Sequence, residues 1–140
     1  SLAIAAEVMK KGYSALYVSA PELFRKLQNE YYGKGGDIDT MDTLMHANLV
    51  IIDDLGAERQ SDFALEQVYS VIDTRYKTKL PIIVTTNITL AELQNAKNMD
   101  YQRIYDRVLE MCVPLHITGE SRRKQKAEDK RQKAIELFRD

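Results

Sequence analysis

Apolar residues along this chain fall into two kinds of run, and the two kinds alternate. Leu2, Ile4, Ala5, Val8 and Met9 gather on one side at helical spacing, which predicts a helix over Ser1–Lys11 that stops at Gly12. Ala15-Leu16-Tyr17-Val18 is a short unbroken apolar run and reads as a buried strand. Ser19-Ala20-Pro21-Glu22 then starts a helix: Ser19 can cap it, Pro21 suits its first turn and Glu22 favours its positive end. This helix is expected to carry Leu23, Phe24, Leu27 and Tyr31 inward. After the break Gly33-Lys34-Gly35-Gly36, a shorter helix is expected over Thr40–Ala47. Leu49-Val50-Ile51-Ile52 is a second buried strand. Ser61–Lys77 reads as a long helix with Phe63, Leu65, Val68, Val71, Ile72 and Tyr76 near one face. Pro81–Asn87 is a third strand, followed by helical stretches over Leu90–Ala96 and Tyr101–Met111 and a short fourth strand over Val113–Ile117. From Ser121 onward runs a charged, helix-favouring tail, with no internal repeat or low-complexity segment anywhere. Strands that are apolar throughout, alternating with helices, imply an α/β layer fold with a parallel sheet.

Composition narrows this picture. At 140 residues the chain is long enough for one domain with a core and too short for two comfortable ones. A hydrophobic share of 44% with 29% charged residues fits a soluble globular domain. The net charge of −1 provides no overall field toward nucleic acid or anionic lipid, so any such contact must be local. Cys112 is the sole cysteine, which excludes an internal disulfide and fits a reducing, cytoplasmic compartment. No apolar run is long enough to cross a bilayer, so no membrane partner is expected. The opening residues lack a basic leader and look like a chain cut open inside a helix. His46 and His116 are isolated, and no zinc site is assigned.

In an open parallel sheet, ligands bind beyond the carboxyl ends of the strands. The second strand ends in Asp53-Asp54. An apolar strand delivering two acids suits a nucleotide site: Asp53 for a magnesium ion and Asp54 to orient or deprotonate an attacking water. The bland alternative is an Asp–Asp turn that only caps the next segment. The third strand ends in Thr85-Thr86-Asn87, where an amide can hold a water or a phosphate oxygen, or simply cap the following helix.

Four runs in order resemble a known family. Leu49–Glu58, Ile82–Asn87, Arg103-Ile104-Tyr105-Asp106-Arg107 and Gly119-Glu120-Ser121-Arg122-Arg123 look like the AAA+ domain of DnaC/DnaI-type replicative helicase loaders, with IstB-type transposition helper ATPases as close relatives. The resemblance covers nearly the whole chain and implies a P-loop NTPase three-layer sandwich, ATP and Mg²⁺ as cofactors, and an ATPase parent domain. It assigns Asp53 to the Walker B magnesium position and Asp54 to the neighbouring acid, where most AAA+ proteins carry Glu. Asn87 matches sensor 1. Arg107 matches the arginine finger that reaches a neighbouring subunit's nucleotide, with Arg103 as second choice, and so implies a homo-oligomer. Arg123 matches the sensor 2 arginine, with Arg122 as its rival. The residues alone allow a plainer reading of Arg103 and Arg107: surface arginines on one helix face, bridged to Asp106 or Glu110.

The resemblance further implies a replicative helicase as partner, engaged through an N-terminal domain outside this chain. Lys26, Tyr31, Tyr32 and Lys34 mix basic and aromatic groups suited to single-stranded DNA, against the alternative of core packing and a solvated tip. The tail's basic residues are interspersed with Glu128, Asp129 and Glu136 and read chiefly as a solvated helix. A transposition helper and a non-catalytic AAA+ interaction module stand beside the loader as alternative functions.

A P-loop requires Gly-x-x-x-x-Gly-Lys-Ser/Thr, and no such run exists in the 140 residues. Gly33-Lys34-Gly35 lacks both a following hydroxyl residue and a preceding strand. The expectation is a domain that starts just after its phosphate loop and also lacks the strand before it. Calorimetric titration of the chain with Mg-ATP is therefore expected to show weak binding or none. A micromolar affinity would overturn this expectation.

Overall fold

The computed structural model describes residues 2–35, 39–56, 60–118, 122–137 and 139. Among them the order is α1 (Leu2–Lys10), β1 (Ala15–Ser19), α2 (Ala20–Tyr31), α3 (Thr40–His46), β2 (Leu49–Asp53), α4 (Asp62–Thr78), β3 (Ile82–Val84), α5 (Leu90–Gln94), α6 (Met99–Met111) and α7 (Arg122–Leu137). Local chemistry sets the boundaries. Gly12 ends α1 with a positive φ of 85°. Ser19 caps α2 by accepting from the Glu22 N–H, and Ser61 caps α4 by accepting from Ala64.

The three strands form one parallel sheet in the order β1-β2-β3. Val50, Ile51 and Ile52 of the central strand are fully buried, and alternate residues face opposite layers. Val50 and Ile52, with Val18, pack into the larger core of Leu23, Phe24 and Leu27 from α2, Leu65, Val68 and Ile72 from α4, and Ile104 and Tyr105 from α6. Leu49 and Ile51 face the other way, onto Ala5 of α1, with Val8, Ala15, Tyr17 and Ile83 beside them. Helices thus cover both faces, as continuous apolar strands demand.

The core also holds one full charge. Arg75 of α4 is completely buried. Its Nη1 donates to the carbonyls of Leu44 and Ala47 at 2.9 Å each, and its Nη2 donates to those of Pro81 at 2.6 Å and Asn48 at 3.4 Å. These carbonyls belong to the end of α3, the lead into β2 and the lead into β3. Burial lowers the affinity of the guanidinium for its proton. Arginine begins so basic that it stays charged, and its planar fork serves several acceptors together.

Several expectations are corrected. Val113–Ile117 is not a strand: residues 113–118 pair with no strand, and Val113, Leu115 and Ile117 are more than 80% exposed. A strand needs a ladder, and Pro114 has no N–H to give one. Tyr31 does not point inward. It is 62% exposed, because its place at the last turn of α2 carries it past the core. On α1 only Ala5 is buried, while Leu2, Ile4 and Met9 are exposed. Tyr76 is likewise partly exposed, and the third strand is shorter than expected, Ile82–Val84, although the Thr85 N–H still donates to the Ile52 carbonyl at 3.0 Å.

Arg75→Leu removes the donors of four carbonyls and is expected to cost roughly 3 kcal/mol or more of stability, since unsatisfied buried groups carry their full desolvation penalty. Arg75→Lys should recover less than half of the loss, because an ammonium cannot span all four acceptors. Urea unfolding midpoints of the three proteins decide this.

Candidate functional site

The chemistry gathers where β2 and β3 end. Asp53 is the last residue of β2 and is partly buried. Both of its carboxylate oxygens accept hydrogen bonds from hydroxyls on neighbouring strands. Tyr17 Oη of β1 donates to Oδ2 at 2.8 Å, and Thr85 Oγ1 donates to Oδ1 at 2.7 Å from the residue just after β3. Thr85 Oγ1 also accepts from the Asp54 N–H at 2.9 Å, so one hydroxyl ties both acids.

Asp54 is exposed and has a left-handed backbone, with φ 60°. Outside glycine, Asp and Asn bear this conformation best. The turn aims Asp54 at Asn87, whose Nδ2 donates to Asp54 Oδ1 at 3.0 Å. The following loop is laced to β3: the Leu55 N–H donates to the Thr85 carbonyl at 2.8 Å, and the Thr86 hydroxyl donates to the Leu55 carbonyl. Tyr105 of α6 donates to the Gly56 carbonyl at 3.1 Å. Burial, then the neighbouring Tyr101, pushes the Tyr105 phenol up to about 12, so it remains a donor at any physiological pH.

This donor set fits magnesium. Mg²⁺ is held through one or two carboxylates, keeps several waters and takes its remaining ligands from phosphates. Asp53 and Asp54 are hard oxygen donors. Among the described residues, no group of three or more His, Cys, Asp or Glu converges, so an all-protein cage is not on offer there.

The arginines lie apart from this cluster. Arg107 Nη2 is 3.0 Å from Asp73 of α4, its Nη1 donates to Glu110 at 2.6 Å, and its guanidinium lies over the Tyr76 ring at 4.5 Å. Arg103 is 3.3 Å from Glu66 and covers the Tyr69 ring at 4.3 Å. Both project from one face of α6 onto α4, as their spacing requires. Arg122 and Arg123 open α7, and their side chains lie outside the described residues, as do Glu58 and Gly119–Ser121 of the motif runs. Lys26 pairs with Glu22 at 3.2 Å on the exposed side of α2. The Tyr31 ring packs on Phe63 at 4.2 Å and meets Tyr32 edge-on, with exposed Lys34 just beyond.

The sequence model of the IstB-like ATP binding proteins matches residues 1–130. The chain belongs to this family. Similarity to the replicative helicase loader DnaI of Bacillus subtilis extends over 131 residues at 26% identity, covering 86% of this chain and 42% of that protein. The crystal structure of the DnaC helicase loader superposes with a TM-score of 0.64 at 28% identity, over 84% of this chain and 70% of that one. AMPPCP-bound DnaA from Aquifex aeolicus matches with a TM-score of 0.61 at 19% identity, over 94% of this chain and 40% of that one, which speaks for the fold alone. The chain spans about two fifths of the length of the curated relatives it matches. These comparisons bear out the expected AAA+ architecture and homology to DnaC/DnaI-type helicase loaders.

Within this IstB-like domain, sequence reasoning overlooked the hydroxyls. Thr85 was visible only as strand-end filler, and Tyr17 as one apolar position among four. Their relation to Asp53 depends on strand register, which no local pattern spells out.

Asp73 yields a pH prediction. The hydrogen bond from Lys77 holds its carboxyl below the ordinary value; burial opposes this, and the charges of Lys77 and Arg107 reinforce it. A depressed folded value means the contribution is complete above about pH 4 and is lost as pH falls through the lower folded value. Asp73→Asn is therefore expected to be less stable than the unsubstituted chain at neutral pH. The gap in thermal midpoint should close as pH approaches 2, a trend calorimetry would follow.

Proposed function

We propose that this chain provides the magnesium-and-water side of an ATP site in a replicative helicase loader. The observation that carries the reading is the cluster at the sheet's carboxyl edge: Asp53 gripped from both flanking strands, with Asp54 and Asn87 joined beside it. In this assignment Asp53 holds Mg²⁺. Asp54 accepts a proton from, or orients, the attacking water, and Asn87 fixes Asp54 and the water between them. Bound magnesium would supply charge neutralisation at the phosphates. Sequence similarity to DnaI and structural similarity to DnaC support the loader role over a transposition helper or a bare interaction module.

Arg107, with Arg103 as second choice, is the group offered to a neighbouring copy's nucleotide. Arg107 is 24% exposed and would exchange its Asp73 and Glu110 contacts for phosphate oxygens. Arg123 is assigned to the nucleotide's other flank. Lys26, Tyr31 and Lys34, together with Tyr32, form the proposed contact for single-stranded DNA, because exposed rings stack bases while lysines meet phosphates. The helicase itself is the proposed protein partner.

In the full-length protein, Asp54→Asn is expected to lower ATP turnover about 100-fold or more, the usual worth of a general base, while nucleotide still binds. Single-turnover hydrolysis alongside equilibrium nucleotide binding separates the two quantities. Unchanged turnover would sink the assignment of Asp54.

A further inference from the structure

Tyr17 and Asp53 lie on neighbouring strands but are not directly opposite. The Cα partner of Tyr17 is Ile51, and that of Asp53 is Ser19. Alternation puts Tyr17, Ile51 and Asp53 on the same face of the sheet, the face covered by α1. A hydroxyl bridge along this diagonal requires a long, stiff side chain with the donor at its tip, and tyrosine meets that requirement. The ring is half-buried against the cluster of Ala5, Leu49 and Ile51, which limits its freedom.

We propose that Tyr17 is a positioning residue for the divalent cation, fixing the carboxylate of Asp53 through Oδ2 while Thr85 fixes Oδ1. This rests on the reading of Asp53 as the magnesium acid. The two hydroxyls come from opposite flanking strands, at 2.8 and 2.7 Å, so the plane of the carboxylate is set from both sides. Both donors are neutral. A lysine or arginine in either place would orient Asp53 equally well but cancel the charge that attracts a cation. The hydroxyls orient the acid without cancelling its charge. Partners behind a ligand typically set metal affinity by about 10- to 100-fold.

The experiment uses the 140-residue chain and Mn²⁺ alone as a paramagnetic probe, read from broadening of the backbone amide signals of Asp53, Asp54 and Thr85. Tyr17→Phe retains the ring and loses one oxygen. It is expected to need about tenfold more Mn²⁺ for half-broadening, with signals of α2 and α4 unmoved. Thr85→Val should act in the same direction, and Thr85→Ser should restore the original midpoint. Equal midpoints for the unsubstituted chain, Tyr17→Phe and Thr85→Val, with broadening abolished by Asp53→Asn, would overturn the role of the hydroxyls and leave the metal assignment standing. Broadening that survives Asp53→Asn, or none in the unsubstituted chain, would overturn the metal assignment beneath it.

Discussion

Four carbonyl oxygens from two separate segments, the α3–β2 junction and the lead into β3, converge on the Arg75 guanidinium, and the lower end of the sheet hangs on that convergence. Leu44 and Ala47 end α3, Asn48 leads into β2 and Pro81 leads into β3. One side chain therefore sets where two adjacent strands begin. Parallel pairing then carries this alignment along the ladder, from Val50 beside Ile82 to Ile52 beside Val84. There Asp53 and Thr85 come within hydrogen-bond reach. A charge in the core is costly, but here the two terminal nitrogens offset that cost with hydrogen bonds to carbonyls that also need partners, while Nε makes none. An apolar residue in its place would strip the carbonyls of Leu44, Ala47 and Asn48 of this donor and leave Pro81 only the Val50 N–H at 3.4 Å.

Much of this architecture is legible in the sequence. The continuous apolar runs at Leu49–Ile52 and Ile82–Val84 reveal strands buried on both faces, and Ser19, Pro21 and Ser61 announce helix starts through their own chemistry. Asp53, Asp54 and Asn87 can be picked out because they stand at the carboxyl ends of apolar strands, where an open parallel sheet binds its ligands. What stayed hidden is relational. Arg75 looks like one more polar position on an exposed helix face, since no local pattern tells a solvated arginine from a buried one. Tyr17 reads as strand filler until the register with β2 is known. Val113, Leu115 and Ile117 have the alternation of a strand, yet alternation is only permission to pair; the ladder must come from a neighbour.

The arginines show the same division between chemistry and context. Spacing alone places Arg103 and Arg107 on one face of α6, and the structure confirms that face. Their partners Glu66, Asp73 and the rings of Tyr69 and Tyr76 come from α4, distant in sequence. The pairing keeps both guanidiniums extended and ordered at the surface. An arginine already held straight loses less freedom on meeting a phosphate than one that wanders.

The left-handed turn at Asp54 bears on which acid this position can hold. A backbone with φ 60° penalises most side chains, and aspartate is among the few that tolerate it. Its short arm also matches the 3.0 Å reach to Asn87. Glutamate would pay more for the same backbone and overshoot the amide by a methylene. The shape of the main chain and the length of the carboxylate thus suit one another at this position.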